Sequence, residues 1–232
     1  MAQHRPAPKS RSPALPISRR ARADYSRYLA GRAQLAASRP FRLIVIRAFI
    51  AIDLDPQVID TICHTIDGLR PRIPGIRWIS KANLHLTVKF LGNVEEAQIE
   101  PIGAALAAAF RPFPRFAINA KGLGVFPDLR RPRILWVGLT GNELARLATT
   151  VESALLPLGF APEKRSFTPH LTIGRWRQFD RPPLTLEQEL EHWQHYEFGR
   201  STVDQVILFR SVLKPEGAVY TRLQTVTLKS GM

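Results

Sequence analysis

Beyond Ile44 the apolar positions switch repeatedly between strict alternation and helical spacing, so strands and helices follow one another along the chain. Residues 45–54 form a β-rich run. Pro56-Gln57 then opens an amphipathic helix reaching Leu69, with Val58, Ile59, Ile62 and Ile66 on its apolar stripe. Strands are expected at 76–79 and 84–91, with Gly92-Asn93 closing the second. A helix rich in Ala is expected over 95–110, without Pro beyond its first turns. Two more strands, 116–125 and 134–140, surround a connection rich in Gly and Pro. The stripe over 142–158 predicts another helix, which Gly159 is placed to end. Pro169 leads into a strand, a position that tolerates proline because no ladder hydrogen bond is needed there. After a polar helix near 186–195, residues 203–210 and 220–228 alternate like a closing hairpin.

Two of these strands carry the same tetrad pattern, His85-Leu86-Thr87-Val88 and His170-Leu171-Thr172-Ile173. In a strand, residues i and i+2 share a face, so each imidazole has a hydroxyl beside it. Leu86, Val88 and Phe90 are expected to point the other way into a core, as are Leu171 and Ile173. The tetrads lie in similar successions of strands and helices. That makes the fold α+β, with two pseudo-symmetric lobes, each a small antiparallel sheet with helices packed outside. If the sheets face each other, both histidines line one central cleft.

The chain of 232 residues carries a net charge of +14, unevenly spread. Residues 1–46 hold ten Lys or Arg against Asp24 alone and show no sustained hydrophobic period. They read as a basic, disordered extension. An organelle transit peptide and a start site placed too early are the competing readings. The domain itself, 47–232, is mildly basic and suits a polyanionic partner. Cys63 is the single cysteine and falls within the first helix's apolar pattern, so it reads as a packed thiol. No apolar run approaches the roughly 18–20 residues needed to span a membrane. A soluble, cytoplasmic monomer is expected.

Imidazole titrates near neutrality, so one histidine can accept a proton while another donates one. Splitting a phosphodiester needs both acts, and threonine hydroxyls can hold the non-bridging oxygens as charge builds on them. No cluster of Asp and Glu suggests a two-metal site, and His-x-Thr lacks zinc-motif spacing, so no metal and no cofactor are expected. His64, His192 and His195 read as surface or packing residues. Trp136 reads more readily as a core residue than as a base-stacking one, and Phe49 as packing.

Four segments together, 47–54 (RAFIAIDL), 83–92 (NLHLTVKFLG), 131–136 (RPRILW) and 167–175 (FTPHLTIGR), resemble the RNA 2′,3′-cyclic phosphodiesterases of the 2H phosphoesterase superfamily, also called the 2′-5′ RNA ligase family. The resemblance covers residues 47–232. It implies a two-lobed fold and hydrolysis of a terminal 2′,3′-cyclic phosphate on RNA, tRNA fragments included, to a 2′-phosphomonoester. It implies His85 as proton donor, His170 as proton acceptor, and Thr87 and Thr172 as phosphate-binding residues. Arg175 stands where the family often has a basic residue near the phosphate. Strict alternation puts it opposite His170, unless Gly174 permits a bulge that turns it inward. Reversal of the chemistry would join RNA ends through a 2′-5′ bond. Two other readings keep part of the pattern: a cyclic phosphodiesterase for a small nucleotide such as ADP-ribose cyclic phosphate, and a non-catalytic RNA-binding module.

Overall fold

Apolar alternation and helical stripes resolve into strands and helices in the computed structural model, which describes residues 44–177, 182–215 and 217–230. Among the described residues there are nine strands and four α-helices. The order is β1 (Val45–Ile52), α1 (Pro56–Leu69), β2 (Arg77–Trp78), β3 (Leu86–Glu95), α2 (Ile99–Phe110), β4 (Phe116–Phe126) and β5 (Ile134–Thr140). There follow α3 (Leu144–Leu155), β6 (His170–Arg175), α4 (Leu186–Trp193), β7 (Glu197–Val203), β8 (Gln205–Lys214) and β9 (Gly217–Thr227). Of the expected basic extension 1–46, only Val45 and Ile46, in β1, and Ile44 before them are described; the remainder lies outside the described residues.

The strands form two antiparallel groups of four, β7-β4-β5-β6 and β3-β1-β8-β9, with β2 added on β6. Strand β3, which His85 immediately precedes, and strand β6, which begins at His170, are the inner edges of their groups. The two edges meet through one antiparallel pair, Leu86 with Leu171, and both leucines are 0% exposed. The two expected antiparallel arrays are therefore present, but they are joined edge to edge at this single pair into one nine-stranded sheet.

One side of both sheets carries the main core, with Ile50, Ile52, Leu135, Val137, Leu171 and Ile173 beneath the helices. The helices cross the junction. Asp55, before α1, takes a hydrogen bond from the Thr202 N–H at 3.0 Å, and its own N–H donates to Ser201 Oγ at 2.7 Å. A helix that follows β1 is thus anchored to β7 of the other sheet. In the reverse sense, Glu152 of α3 pairs with Lys89 of β3. Among the described residues no helix is long and apolar enough to cross a membrane.

Helix α1 has the expected bounds, because its apolar stripe and Pro56 at the first turn agree. The expected helix at 95–110 begins with a 3₁₀ turn, Glu96–Gln98, and its α-helical part starts at Ile99, two residues before Pro101. Pro157 likewise converts the end of the 142–158 helix into a 3₁₀ turn, and Gly159 closes it at φ +89°. The expected strand 76–79 shrinks to two residues. Gly92-Asn93 does not end β3, which continues paired with β1 to Glu95.

The larger departure is within β3. Ile50 pairs with Lys89 and Ala51 with Thr87, which leaves Val88 as an extra residue in a β-bulge. The bulge reverses the alternation. Val88 and Lys89 are both buried, while Phe90, expected in the core, is 56% exposed on the face of Thr87. Lys89 goes inside in its place, where Nζ donates to Glu152 Oε2 at 2.5 Å and to the Ala161 carbonyl at 2.8 Å.

Removing that ammonium strands a partly buried carboxylate and a carbonyl. Lys89→Ala is expected to destabilise the fold by about 2–4 kcal/mol. Urea unfolding midpoints of the wild type and the variant measure this, and coincident midpoints would contradict it.

Candidate active site

The site follows from the register of one residue pair. Leu86 opposite Leu171 is the one registered pair, and its antiparallel sense directs His85 toward Thr172 and Thr87 toward His170 on either side of it. The leucines point to the core, so all four polar side chains share the opposite face. The two halves of the chain thus place two imidazoles and two hydroxyls in one quartet with approximate two-fold symmetry.

Each imidazole is held on one nitrogen by the backbone two residues before it. His170 Nδ1 donates to the Thr168 carbonyl at 2.7 Å, which leaves Nε2 as an open acceptor. The His85 ring is likewise hydrogen-bonded to the Asn83 backbone. Its Nε2 lies 3.0 Å from Thr87 Oγ1 and, with the ring neutral, accepts the hydroxyl proton.

Aromatic rings wall both imidazoles. His85 stacks on Phe49 of β1, with centroids 4.9 Å apart, and meets Tyr220 of β9 edge-on at 5.2 Å. His170 meets Phe126 of β4 edge-on at 5.0 Å, with Trp136 of β5 at 6.5 Å. Phe49 packs as expected, within a small cluster with Ala51, Ile207 and Phe209 on the histidine face. Trp136 departs from expectation. It pairs with Thr172 on the same face, half-buried, its indole lying across Gly124, where a Cβ would fall 2.2 Å from the ring. Tyr220 and Phe126 carry no local motif that marks them for the site.

Arg175 also reaches this face. Trp136 pairs with Thr172 but Leu135 with Gly174, so Ile173 is an extra residue in a bulge. Ile173 and Gly174 are consecutively buried, and the phase of Arg175 shifts to that of His170 and Thr172. Gly174 is needed there because a Cβ would come within 2.3 Å of Ile76. Arg175 pairs with Arg77 of β2, and no carboxylate lies within ion-pair distance of either among the described residues. Arg133 is occupied elsewhere, donating through Nη1 to the Arg177 carbonyl at 2.8 Å. His64, His192 and His195 are exposed, away from this constellation. Among the described residues no three His, Cys, Asp or Glu side chains converge to hold a metal ion.

The family model described as LigT-like phosphoesterase matches this sequence twice, over residues 52–136 and 137–220. The chain belongs to the LigT-like phosphoesterases. Each match contains one His-x-Thr motif, in keeping with the paired sheets. A relative from Methanothermobacter thermautotrophicus, named RNA 2′,3′-cyclic phosphodiesterase, is 33% identical over 184 residues, spanning 79% of this chain and 99% of its own. One of the same name from Aquifex aeolicus is 35% identical over 181 residues, 76% of this chain and 94% of its own. Among solved structures, a Thermus thermophilus protein superposes with a TM-score of 0.69 at 26% identity, covering 81% of this chain and 100% of that one. Escherichia coli LigT complexed with 3′-AMP gives 0.64 at 25% identity, covering 80% and 99%.

The electrostatics of this LigT-like site favour neutral imidazoles. Burial against the aromatic wall pushes His85 down to about 4; the Asn83 backbone bond opposes this, and the Arg175 charge adds to it. His170 is lowered for the same reasons, burial first, then Arg175, with the Thr168 bond opposing. Burial also lowers Arg175, partly offset by Tyr220 and reinforced by Arg77.

Because His85 is protonated less readily folded than unfolded, the unfolded chain binds the proton first as pH falls. The stability this gives is intact above the ordinary histidine value of 6.5 and is lost as pH falls toward about 4. Urea midpoints measured from pH 7 to 4 should therefore fall less steeply for His85→Gln than for the wild type. Parallel curves would refute the depressed value.

Proposed function

We propose that this chain hydrolyses the terminal 2′,3′-cyclic phosphodiester of RNA to a 2′-phosphomonoester by two-histidine acid–base catalysis, through residues 47–232. The observation that carries this reading is the quartet across the Leu86–Leu171 pair, with the Arg175 charge acting on both imidazoles. The names of the relatives support the substrate class. E. coli LigT complexes with 3′-AMP and with phosphate support a phosphate-binding site in this fold.

A cyclic phosphate seated between Thr87 and Thr172 has one imidazole on each side. His170, with Nδ1 tied to Thr168, takes a proton from water at Nε2 as the water oxygen attacks phosphorus. His85 gives a proton from Nε2 to the departing 3′ oxygen, and the P–O3′ bond breaks. The threonine hydroxyls donate to the non-bridging oxygens, and Arg175 stabilises the added negative charge. The deeper depression of His85 makes its protonated form the stronger acid, which suits the donor. The bound phosphate supplies the missing proton affinity, since its negative charge offsets Arg175 and favours imidazolium. With a 5′-hydroxyl in place of water as the nucleophile, the same groups would join it to the 2′,3′-cyclic phosphate end through a 2′-5′ bond, the P–O3′ bond breaking and His85 protonating the 3′ oxygen as before. The reading also takes the protein as a cytoplasmic monomer acting on RNA ends, tRNA fragments among them.

A 2′,3′-cyclic-ended oligonucleotide incubated with the protein in chelator should yield a 2′-phosphate, and a 3′-phosphate would reverse the leaving-group assignment. His85→Ala and His170→Ala should each lower kcat by about 10²- to 10⁴-fold. Undiminished turnover by either variant removes the role given to that residue.

Proton uptake is a separate check on the electrostatics. Calorimetric titration of 2′-AMP at pH 7 in buffers of different ionisation enthalpy should show uptake of about one proton per ligand. A buffer-independent enthalpy would refute protonation of the donor on ligand binding.

A further inference from the structure

Asn83 stands two residues before the proposed proton donor and is engaged at both ends. It closes a 3₁₀ turn, Lys81–Asn83, whose Lys81 pairs with Asp60 of α1. From this anchored turn the Asn83 backbone holds the His85 ring. The side chain turns away to β9, where Nδ2 donates to the Ala218 carbonyl at 2.7 Å. None of the proton transfers or phosphate contacts proposed above uses that second bond.

Strand order alone would keep Asn83 and β9 apart. Strands β1 and β8 lie between β3 and β9, and three strand spacings amount to about 14 Å in a flat sheet. The gap closes because β9 curls over the catalytic face. Leu208 pairs with Gln224 and Phe209 with Arg222, so Leu223 is an extra residue in β9, and a bulged strand bends and twists. The first part of β9 comes over Phe49, with the Tyr220 ring 4.9 Å from Phe49 and 5.2 Å from His85, edge-on to both. Burial does not hold this end of the hairpin, since Leu213 and Val219, beside Ala218, are 65% and 43% exposed. Ala218 and Tyr220 are i and i+2 of one strand, about 7 Å apart, so a bond to the Ala218 carbonyl fixes where Tyr220 sits.

We infer that Asn83 is a positioning residue for the proton donor: its side-chain amide latches β9 across the catalytic face, and the latched strand holds Tyr220 edge-on against the His85 ring. The inference rests on the cyclic phosphodiesterase reading above, with His85 as the acid. Proton delivery to the 3′ oxygen needs His85 Nε2 within hydrogen-bond reach and correctly aimed, so a ring free to turn about its side-chain bonds delivers less often. Phe49 confines that ring on one face, and Tyr220 closes a second side. Asn83 thus fixes the imidazole twice, directly through its backbone and indirectly through Tyr220.

Asn83→Leu keeps much of the side chain's size but cannot donate a hydrogen bond. With a 2′,3′-cyclic-ended oligonucleotide it should lower kcat by about 5- to 50-fold and leave KM unchanged, since it misplaces the acid without touching substrate. Tyr220→Ala should lower kcat by a similar factor, and the double variant should lose no more than either alone, because the amide acts through the ring. In the free protein, the His85 imidazole followed by NMR should titrate above the wild-type value of about 4 in both single variants, as loss of the wall admits water. The His170 titration should not move. Losses that multiply in the double variant, wild-type kcat in Asn83→Leu, or a drop in kcat with the His85 titration unmoved would each overturn the role. Should Asn83→Leu fail to fold, Asn83→Ser, too short to reach Ala218, carries the same expectations. Absence of wild-type turnover would instead overturn the activity on which the inference rests, while the His85 titration still reports on the latch.

Discussion

The candidate active site hangs on one backbone pairing, Leu86 with Leu171, where the two halves of the sheet touch at their inner edges. Strand side chains alternate, so slipping this pair by one residue would put a core leucine on the catalytic face of one strand and carry its histidine to the other side. One pair of residues cannot hold two sheets in register alone. The crossed helices supply the rest: α1 is fastened to β7 through Asp55, and α3 to β3 through Lys89 and Glu152. Each sheet is clamped by a helix that follows a strand of the other. Burial of both leucines at 0% exposure then makes any other register unfavourable.

Regular sheets cannot by themselves build this cleft. A strand with one face on the core must alternate apolar and polar residues, yet Phe90 and Arg175, each five residues beyond its histidine, stand on the histidine face, where strict alternation would turn them away. Two bulges resolve the conflict. The one at Ile173 brings Arg175 into phase with His170 and Thr172, and the one at Val88 brings Phe90 into phase with Thr87. The second leaves Lys89 facing the core, where its charge is tolerated because a carboxylate and a carbonyl meet it. The same ion pair that joins α3 to β3 is therefore the consequence of turning Phe90 outward.

What could be read in the sequence follows from how local each determinant is. The stripe Val58, Ile59, Ile62, Ile66 and the proline before it define α1, because period and start signal lie within one segment. The shared face of His85 with Thr87, and of His170 with Thr172, follows from strand phase alone. The repeated tetrad in similar surroundings indicated the two lobes, and the family resemblance implied the same two-lobed fold. The exchange of Phe90 for Lys89 was illegible, since a bulge depends on the partner strand, here Ile50 and Ala51 of β1. For Arg175 only Gly174 hinted at the turn. Strand β7 was missed because its pattern is broken by Gly199 and polar residues and is completed by pairing with β4. Tyr220 reaches His85 from the far end of the chain, and no spacing within β9 announces it.

The aromatic wall that sequence patterning did not reveal is also what gives the imidazoles their chemistry. A solvated histidine would sit near its ordinary value and share its proton readily with water. Packed against Phe49 and Tyr220, His85 gives up its proton far more easily, and the Arg175 charge pushes the same way. That would idle a donor in an empty site. An anionic phosphate placed between Thr87 and Thr172 reverses the balance, because in a partly desolvated cleft its charge acts strongly on both imidazoles and on Arg175. In the proposed mechanism, protonation of His85 is thereby coupled to occupancy of the site. His170, less strongly depressed and with Nε2 left open by the Thr168 bond, remains the better acceptor. A pair of motifs that look alike in sequence is made unequal by how deeply each imidazole is buried, and the proposed division of labour between donor and acceptor rests on that inequality.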